Sequence, residues 1–514
     1  MNRQLQWREG KLPLVLAAAS IVASAAFLLS LMVIAPTTFL TILVYAIVLL
    51  ILLGCLIAIL QRPIRVVYIL IIWIFVQDLA ILLLSHLVAN SDLERLSYLV
   101  ILGKEALLGA TFVYVGIRRG LLFKHWTLPD WLAVALSAWI ALYLVLPSSV
   151  FGGVDVPFIA KLTSARSYLV FTMLYLVGRW VSIQIGDLKR AARLFFAVAL
   201  MSFAVGLFLT AMPGSMWQAI GIREFFQFKV GERATDIIFM RTDLPGNFYF
   251  PDLPASLVPY PGVRRMSSTI IEPITTGLVF ASLFLMAVAL SKRHRLTPRI
   301  LVFGVAALLA FGRGGILLAG VGYLFIRLKK PALVIFAGAM ASVLVLLLYK
   351  NVLPIPTWGG GTALRLNGMV DGILWTINHP LGIGLGTSNY LTLVRSGGAN
   401  ARGGDGLGAL RGADFPSFSS EIFVNTLGTQ TGLFGTGLFL AWLFSLIRKL
   451  FIVWRANERS DFTLARMALA MSGAMAGLLL LSFMSSSGYG FVGVGMSFLF
   501  SGLAINGKKL SRAV

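Results

Sequence analysis

Apolar runs of about 20 residues recur almost from end to end of this 514-residue chain, and that recurrence constrains its fold more than any other feature. A helix needs about 20 apolar residues to cross the roughly 30 Å of bilayer hydrocarbon. Runs of that kind lie near 12–35, 38–60, 66–89, 98–117, 128–147, 166–184, 191–212, 270–291, 331–349, 420–447, 462–485 and 488–504, which predicts twelve clear membrane spans. Composition agrees, with 58% hydrophobic and 12% charged residues, where a soluble domain carries about a quarter charged. The run at 12–35 exceeds a signal-peptide core of about 7–15 residues and is expected to remain as a first helix. The single cysteine, Cys55, falls inside an apolar run. It excludes an intramolecular disulfide and a cysteine metal cluster, and reads as lipid-buried packing.

The stretch Ile300 to Ile326 is either one long helix or two short arms broken at Gly312-Arg313-Gly314-Gly315. Lys292, Arg293, Arg295 and Arg299 precede it, while Arg327, Lys329 and Lys330 follow. Basic flanks favour the cytoplasmic side, so a broken hairpin with arms 300–312 and 314–326 satisfies both and brings the expected count to about fourteen transmembrane helices. The same rule puts both termini in the cytoplasm. The expected protein is an all-α polytopic integral membrane protein divided in chain order. An N-terminal bundle of about seven spans occupies 1–212, and an external loop with an interfacial helix 213–269. Spans carrying the arginine hairpin occupy 270–349, a glycine-rich external loop 350–419 and C-terminal spans 420–514.

The 43 lysines and arginines against 20 acids, a formal net charge of +23, are explained largely by this inside bias, so nucleic acid is not an expected partner. The short cytoplasmic turns leave no room for a nucleotide-binding domain, and the chain holds no GxxxxGK[ST] loop to cradle ATP. A primary pump is therefore excluded. The first loop opens with Trp217, Ile220, Ile222, Phe225, Phe226 and Phe228 interleaved with Arg223, Glu224 and Lys229, a pattern suited to lying in the outer interface. The second loop is punctuated by Gly359-Gly360-Gly361 and Gly397-Gly398.

A charge within or beside a membrane span is costly and is a candidate functional group. Arg313, between two arms that as helices reach only about 20 Å each, is expected to sit recessed below the outer surface, in a cavity or snorkelling to headgroups. Arg264 and Arg265 stand just before the eighth span, ahead of Ser267, Ser268, Thr269 and Glu272-Pro273. Guanidinium forks hold phosphate bidentately and stay charged when desolvated. Arg265 with Arg313 is thus the pair suited to a lipid diphosphate, unless Arg264 and Arg265 are an ordinary membrane flank. Asp414 and Glu421 enter the run 420–447, the twelfth span when the two hairpin arms are counted, with Gln430 more than two turns deeper. Glu421 is placed either as a partly desolvated general base or as a first-turn acid favoured by the helix dipole. His379-Pro380 ends an amphipathic piece running from Arg365 through Trp375, and a histidine there serves more often as a turn residue than as a catalyst. His86, His125, His294 and His379 fall in different segments and no DxD or HExxH spacing occurs. No metal site and no cofactor are expected.

The order of these pieces over roughly 260–440 resembles the bacterial O-antigen ligase and polymerase superfamily, whose members handle undecaprenyl-diphosphate-linked glycans at the outer face of the inner membrane. Arg265 followed eight residues later by Pro273, the Gly312-Arg313-Gly314 turn, and Arg365 and Trp375 ahead of His379-Pro380-Leu381-Gly382-Ile383-Gly384-Leu385-Gly386 resemble the family's loose motifs. Eleven residues before the first glycine of Gly432-Leu433-Phe434-Gly435 the family has a histidine. This chain has Glu421, a departure that leans toward the polymerase branch.

The resemblance implies a glycosyltransferase that moves a growing glycan from undecaprenyl diphosphate to the hydroxyl of an incoming lipid-linked repeat unit, independent of metal and with inversion. It implies Arg265 and Arg313 on the leaving diphosphate, with Arg264 and Arg365 assisting. Glu421 would be the base, oriented by Glu272 or Asp414, and His379 and Gln430 would line the glycan site. The implied setting is a bacterial inner membrane with the site facing the periplasm, and the implied partners are the lipid-linked oligosaccharide, membrane lipids and a chain-length regulator or export complex. Two rivals stay open: a ligase moving finished polymer to a lipid or protein acceptor, and a transporter or flippase of lipid-linked glycan. Against the transporter, the charged candidates gather at the outer end, with no matching set expected at the midplane.

Overall fold

A computed structural model describes residues 39–84, 90–120, 126–151, 156–184, 186–230, 235, 239, 244–245, 248–250, 263–291, 296–330, 372–387, 422–485 and 489–507. Most of these residues are helical, and the one sheet among them is a ribbon of two two-residue strands. The helices are α1 Phe39–Gln61, α2 Arg65–Leu84, α3 Asn90–Val115, α4 Leu128–Val145, α5 Phe158–Trp180, α6 Asp187–Ala211, α7 Gly214–Ala219 and α8 Ile222–Val230. The ribbon strands are β1 Tyr249–Phe250 and β2 Val263–Arg264, and the remaining helices are α9 Pro273–Leu290, α10 Pro298–Leu309, α11 Arg313–Leu328, α12 Phe423–Asn457, α13 Phe462–Ser482 and α14 Gly495–Gly507.

Among the described residues seven helices are long and apolar enough to cross a membrane, with Ala46–Gln61 and Pro298–Leu309 as shorter apolar helices. That makes the chain an all-α membrane protein. The expected spans at 12–35 and 331–349 lie outside the described residues, as does the second loop except for 372–387. The ambiguous stretch is two helices, α10 and α11, interrupted at 310–312.

The described residues form two compact units. One draws on Met1–Leu121, Trp180–Val198 and Met212–Leu244, the other on Leu122–Arg179, Ala199–Ala211 and Pro245–Val514. In the first unit α1, α2 and α3 pack on one another, and α8 lies against α2 and α3. Asp187, 1% exposed, caps the start of α6 by accepting from the Gln184 amide at 2.7 Å, and Arg62 reaches it at 3.4 Å.

In the second unit α9 is packed by α10, α11 and α13, while α12 is packed by α13, α4 and α14. The helices approach closely because small residues stand at the crossings, as is usual where packing alone drives association in lipid. A Cβ on Gly315 would lie 2.8 Å from the Gly277 carbonyl carbon, so α11 can rest on α9 only with glycine there. The buried Arg179, an unexplained charge within a span, closes a clamp between the end of α5 and the start of α4. Its Nε and Nη2 donate to the two Asp130 carboxylate oxygens, each at 2.8 Å. Tyr175 donates at 2.7 Å to the same carboxylate, and the Thr127 amide and hydroxyl at 2.7 and 2.9 Å. This is the bidentate, fully hydrogen-bonded geometry that makes a buried ion pair tolerable.

Candidate functional site

Three segments that the sequence keeps apart are joined by backbone contacts around the arginines. Tyr249 pairs with Arg264 and Phe250 with Val263 in the antiparallel ribbon, and the ribbon continues with the Arg265 amide donating to Phe248 at 2.8 Å. The next amide, that of Met266, donates to the carbonyl of Leu309, the last residue of α10, at 2.9 Å. The chain then coils tightly, with the Ile271 amide on Ser268 at 2.9 Å and the Glu272 amide on Ile270 at 2.7 Å. Glu272 is the N-cap of α9, Pro273 occupies the first helical position, and the Glu272 carboxylate accepts from Thr275 at 2.8 Å. Ser267 and Ser268 are buried beneath.

Arg313 is exposed and is the first residue of α11, behind the N-cap Gly312, which has no side chain to cap the helix. A Cβ on Gly312 would touch Ile274 in the first turn of α9 at 3.6 Å, so the Arg313 turn sits on the helix that Glu272 begins. Among the described residues three non-glycine residues hold left-handed backbone: Ile271 at φ 65° and Phe311 at φ 43° at this corner, and Lys329 at φ 52° as the C-cap of α11. For a β-branched, fully buried residue such as Ile271 this conformation is a true outlier, and such strain, costing about 1–3 kcal/mol per residue, collects at ligand clamps and active sites. Of the two at this corner, one precedes Glu272 and the other precedes Gly312-Arg313. A cation on the positive end of a helix is disfavoured by the dipole. The same place, offering first-turn amides without intrahelical acceptors and a guanidinium, favours a bound anion.

The glycine-rich run 382–386 has a different character. Gly382, Gly384 and Gly386 hold φ values of 67°, 97° and 84°, and the alternation with Ile383 and Leu385 curls successive amides toward one side, the backbone form of an anion nest. Carbonyls of α12 fill it. The Ile383 amide donates to Thr429 at 2.8 Å and the Gly384 amide to the Gln430 carbonyl at 3.1 Å, while the Gly386 amide reaches the Gln430 side-chain oxygen at 3.4 Å. In return the Leu433 amide donates to Pro380 at 2.8 Å. These bonds replace the intrahelical ladder of α12 at Gly432, where the backbone leaves helical geometry at φ 71°, ψ −169°. Two side chains of α4 hold the assembly, Tyr143 donating to the Leu381 carbonyl at 2.5 Å and Trp139 to the Thr431 carbonyl at 3.1 Å.

Of the expected site residues, then, the structure sets the segment 263–272, which carries Arg264, Arg265 and Glu272, against the turn that carries Arg313. It sets Gln430, 1% exposed, inside the glycine nest. His379 is exposed at the end of the helical turn 372–378, its ring stacked on Trp375 at 4.1 Å and 13° and its Nδ1 3.1 Å from the Trp375 carbonyl. Arg365, Asp414 and Glu421 lie outside the described residues. Among the described residues no group of three or more His, Cys, Asp or Glu is placed to hold a metal ion.

Two features escaped the sequence reading. In the first unit Lys104 of α3 donates to the Gln77 side-chain oxygen, and Gln77 donates to Asp78 of α2 at 3.1 Å. All three are buried, and Asp78 stands 13 residues into α2, roughly 20 Å along a helix that rises 1.5 Å per residue. A polar set therefore does exist deep within the spans, against expectation. Asp78 and Lys104 were visible as isolated charges in apolar runs, but their meeting depends on the packing of α2 on α3. In the second unit Lys161 is buried within α5, ahead of the run expected at 166–184. No family model matches the chain, and no curated protein is significantly similar to it.

Proposed function

We propose that the chain is a glycan polymerase of the O-antigen ligase and polymerase type, transferring a growing polysaccharide from undecaprenyl diphosphate to the hydroxyl of an incoming lipid-linked repeat unit at the outer face of a bacterial inner membrane. The observation that carries this reading is the arginine corner. The Arg264–Arg265 ribbon, the Glu272 cap and the Arg313 turn meet by backbone contact on strained residues. Arg313 with the first amides of α11 presents donors and charge to one diphosphate oxygen set, and Arg265 with Arg264 supplies the second fork, which together neutralise the leaving group. Glu421 accepts the proton of the attacking hydroxyl, and attack opposite the leaving diphosphate inverts the anomeric centre. Arg365 and Asp414 assist from the same loop.

The test is the profile of surface polysaccharide and of lipid-linked glycan in cells lacking the protein, complemented with the intact chain, Arg313→Ala or Glu421→Gln. Single repeat units accumulating on the carrier in the null strain and in both variants support a polymerase. Full-length chains stranded on the carrier make the protein a ligase instead, and a normal ladder with Glu421→Gln removes that residue from the mechanism.

The buried Lys104, Gln77 and Asp78 favour a second reading, transport of lipid-linked glycan, because polar groups at such depth mark translocation paths in carriers. Loss of outer-face lipid-linked glycan in Lys104→Met or Asp78→Asn cells, with polymerisation of externally supplied units intact, selects it.

A further inference from the structure

We propose that the corner between the end of α4 and the start of α5 is an anion-binding subsite centred on Lys161, taking a carboxylate or phosphate group of the substrate. Lys161 is 7% exposed. Its ammonium donates at 2.9 Å to the carbonyl of Leu146, the C-cap of α4, and among the described residues that is its one partner. One turn further along α5 stands Ser164, and two residues past Leu146 stands Ser148, 4% and 1% exposed. Both hydroxyl oxygens are wholly buried with no hydrogen-bond partner among the described residues. The glycine loop closes the corner. A Cβ on Gly384 would lie 2.7 Å from the Ser148 hydroxyl, and one on Gly386 would lie 3.2 Å from the Lys161 amide nitrogen.

An ammonium carries three donors. The carbonyl end of α4 answers one of them and offsets part of the charge. Two N–H groups and two hydroxyls remain, buried where water is scarce, and leaving them unmet is destabilising. A single anionic group with several acceptor oxygens satisfies them together and neutralises the lysine, which a neutral sugar hydroxyl does not. Lys161 and Ser164 share a face of α5 with Tyr168, which meets Phe423 edge-on at 5.8 Å, two residues beyond Glu421. The corner thus borders the glycine loop and, through Tyr168, the start of α12. The choice between the two sources of the anion, the carrier's diphosphate or the carboxylate of an acidic sugar, rests on the proposed function; the binding itself does not.

The experiment titrates the purified full-length protein in nanodiscs with sodium pyrophosphate and, separately, sodium glucuronate, following thermal unfolding, for the intact chain, Lys161→Met, the double variant Ser148→Ala/Ser164→Ala, and Arg313→Ala. Stabilisation of the intact chain is expected, weakened about tenfold or more in apparent affinity by Lys161→Met and by the serine pair, with Arg313→Ala serving to subtract the pyrophosphate held at the arginine corner. A response to glucuronate alone identifies a sugar carboxylate, and one to pyrophosphate alone identifies the carrier phosphate. No stabilisation of the intact chain by either anion overturns the proposal. So does an affinity unchanged by Lys161→Met or by the serine pair, or a pyrophosphate response that Arg313→Ala alone removes. A lysine that only caps α4 would leave Lys161→Met less stable and its titration unaltered. Because the readout is binding, it stands or falls apart from the polymer ladder that tests the function.

Discussion

The arginine corner and the glycine corner of the second unit are both built from glycine-bearing turns, yet they spend their backbone groups in opposite ways. At the glycine corner the amides of Ile383, Gly384 and Gly386 are occupied by oxygens of Thr429 and Gln430, and the Leu433 amide by Pro380. Nothing in that exchange is left for a ligand. At the arginine corner the helix start behind Gly312 has no side-chain cap, Arg313 is exposed, and buried Ile271 is held in a backbone that only its surroundings enforce. The first corner is scaffold, which breaks α12 and fixes where Pro380 and His379 stand. The second presents charge. A motif of conspicuous glycines is therefore the less chemical of the two, because its spacing answers the need of one chain segment to lie on another.

The sharpest way to break this contrast is Gly432→Val. A side chain at φ 71° would land on the Pro380 carbonyl, and overpacking with a strained backbone should cost more than about 3 kcal/mol. Recovery of monodisperse protein from detergent extracts should collapse; a well-folded variant with no activity would move the glycine corner into the chemistry. Arg313→Ala is expected to do the reverse, lowering turnover of lipid-linked glycan by about 100-fold or more, on the scale of losing one preorganised charge stabiliser, while thermal unfolding shifts by less than about 0.5 kcal/mol. Gln430→Leu, which removes an acceptor from the buried nest, should lower stability by about 1–2 kcal/mol in a denaturation series and leave turnover of the folded fraction unchanged. The smallest effect is expected of His379→Phe. The ring stack on Trp375 survives, so stability should move by less than about 0.5 kcal/mol and polymer length should hold; a lost ladder would make His379 a catalyst after all.

The spans were legible where apolar length alone decides. The runs read at 128–147 and 462–485 are α4 Leu128–Val145 and α13 Phe462–Ser482, and the one at 270–291 is α9 Pro273–Leu290. Boundaries moved where a charge found an internal partner. The run read at 166–184 begins eight residues earlier, at Phe158, because Lys161 is buried against the end of α4 and does not mark the water boundary. The run read to 447 continues to Asn457, since Leu450, Val453 and Trp454 keep a buried face turned inward past Arg448 and Lys449. The existence of a helix break was legible, but its place shifted: the structure interrupts the stretch at 310–312, and of the GRGG run only Gly312 is outside a helix, since Arg313, Gly314 and Gly315 already belong to α11.

Arg264, Arg265, Glu272 and Arg313 could be singled out by sequence because charge is so expensive in a chain of this composition that each case asks for a reason. Gln430 was singled out for its depth in an apolar helix, and depth was correct, but its oxygen serves a backbone 44 residues away. Lys104 and Asp78, isolated charges in apolar runs, are linked through Gln77 only because α2 packs on α3.

By itself the sequence determined that this chain crosses a membrane as helices and that its stretch 300–326 is interrupted next to Gly312. Hydropathy and backbone freedom act residue by residue, so both can be read without knowing what lies alongside. Only the tertiary structure decided what each charge meets. Arg179 finds Asp130 and is silenced, Lys161 finds the carbonyl end of α4, and Arg313 stands at the start of α11 behind Gly312. The partner of a buried charge comes from another helix, and the register and crossing of two helices depend on the packing of every residue between them.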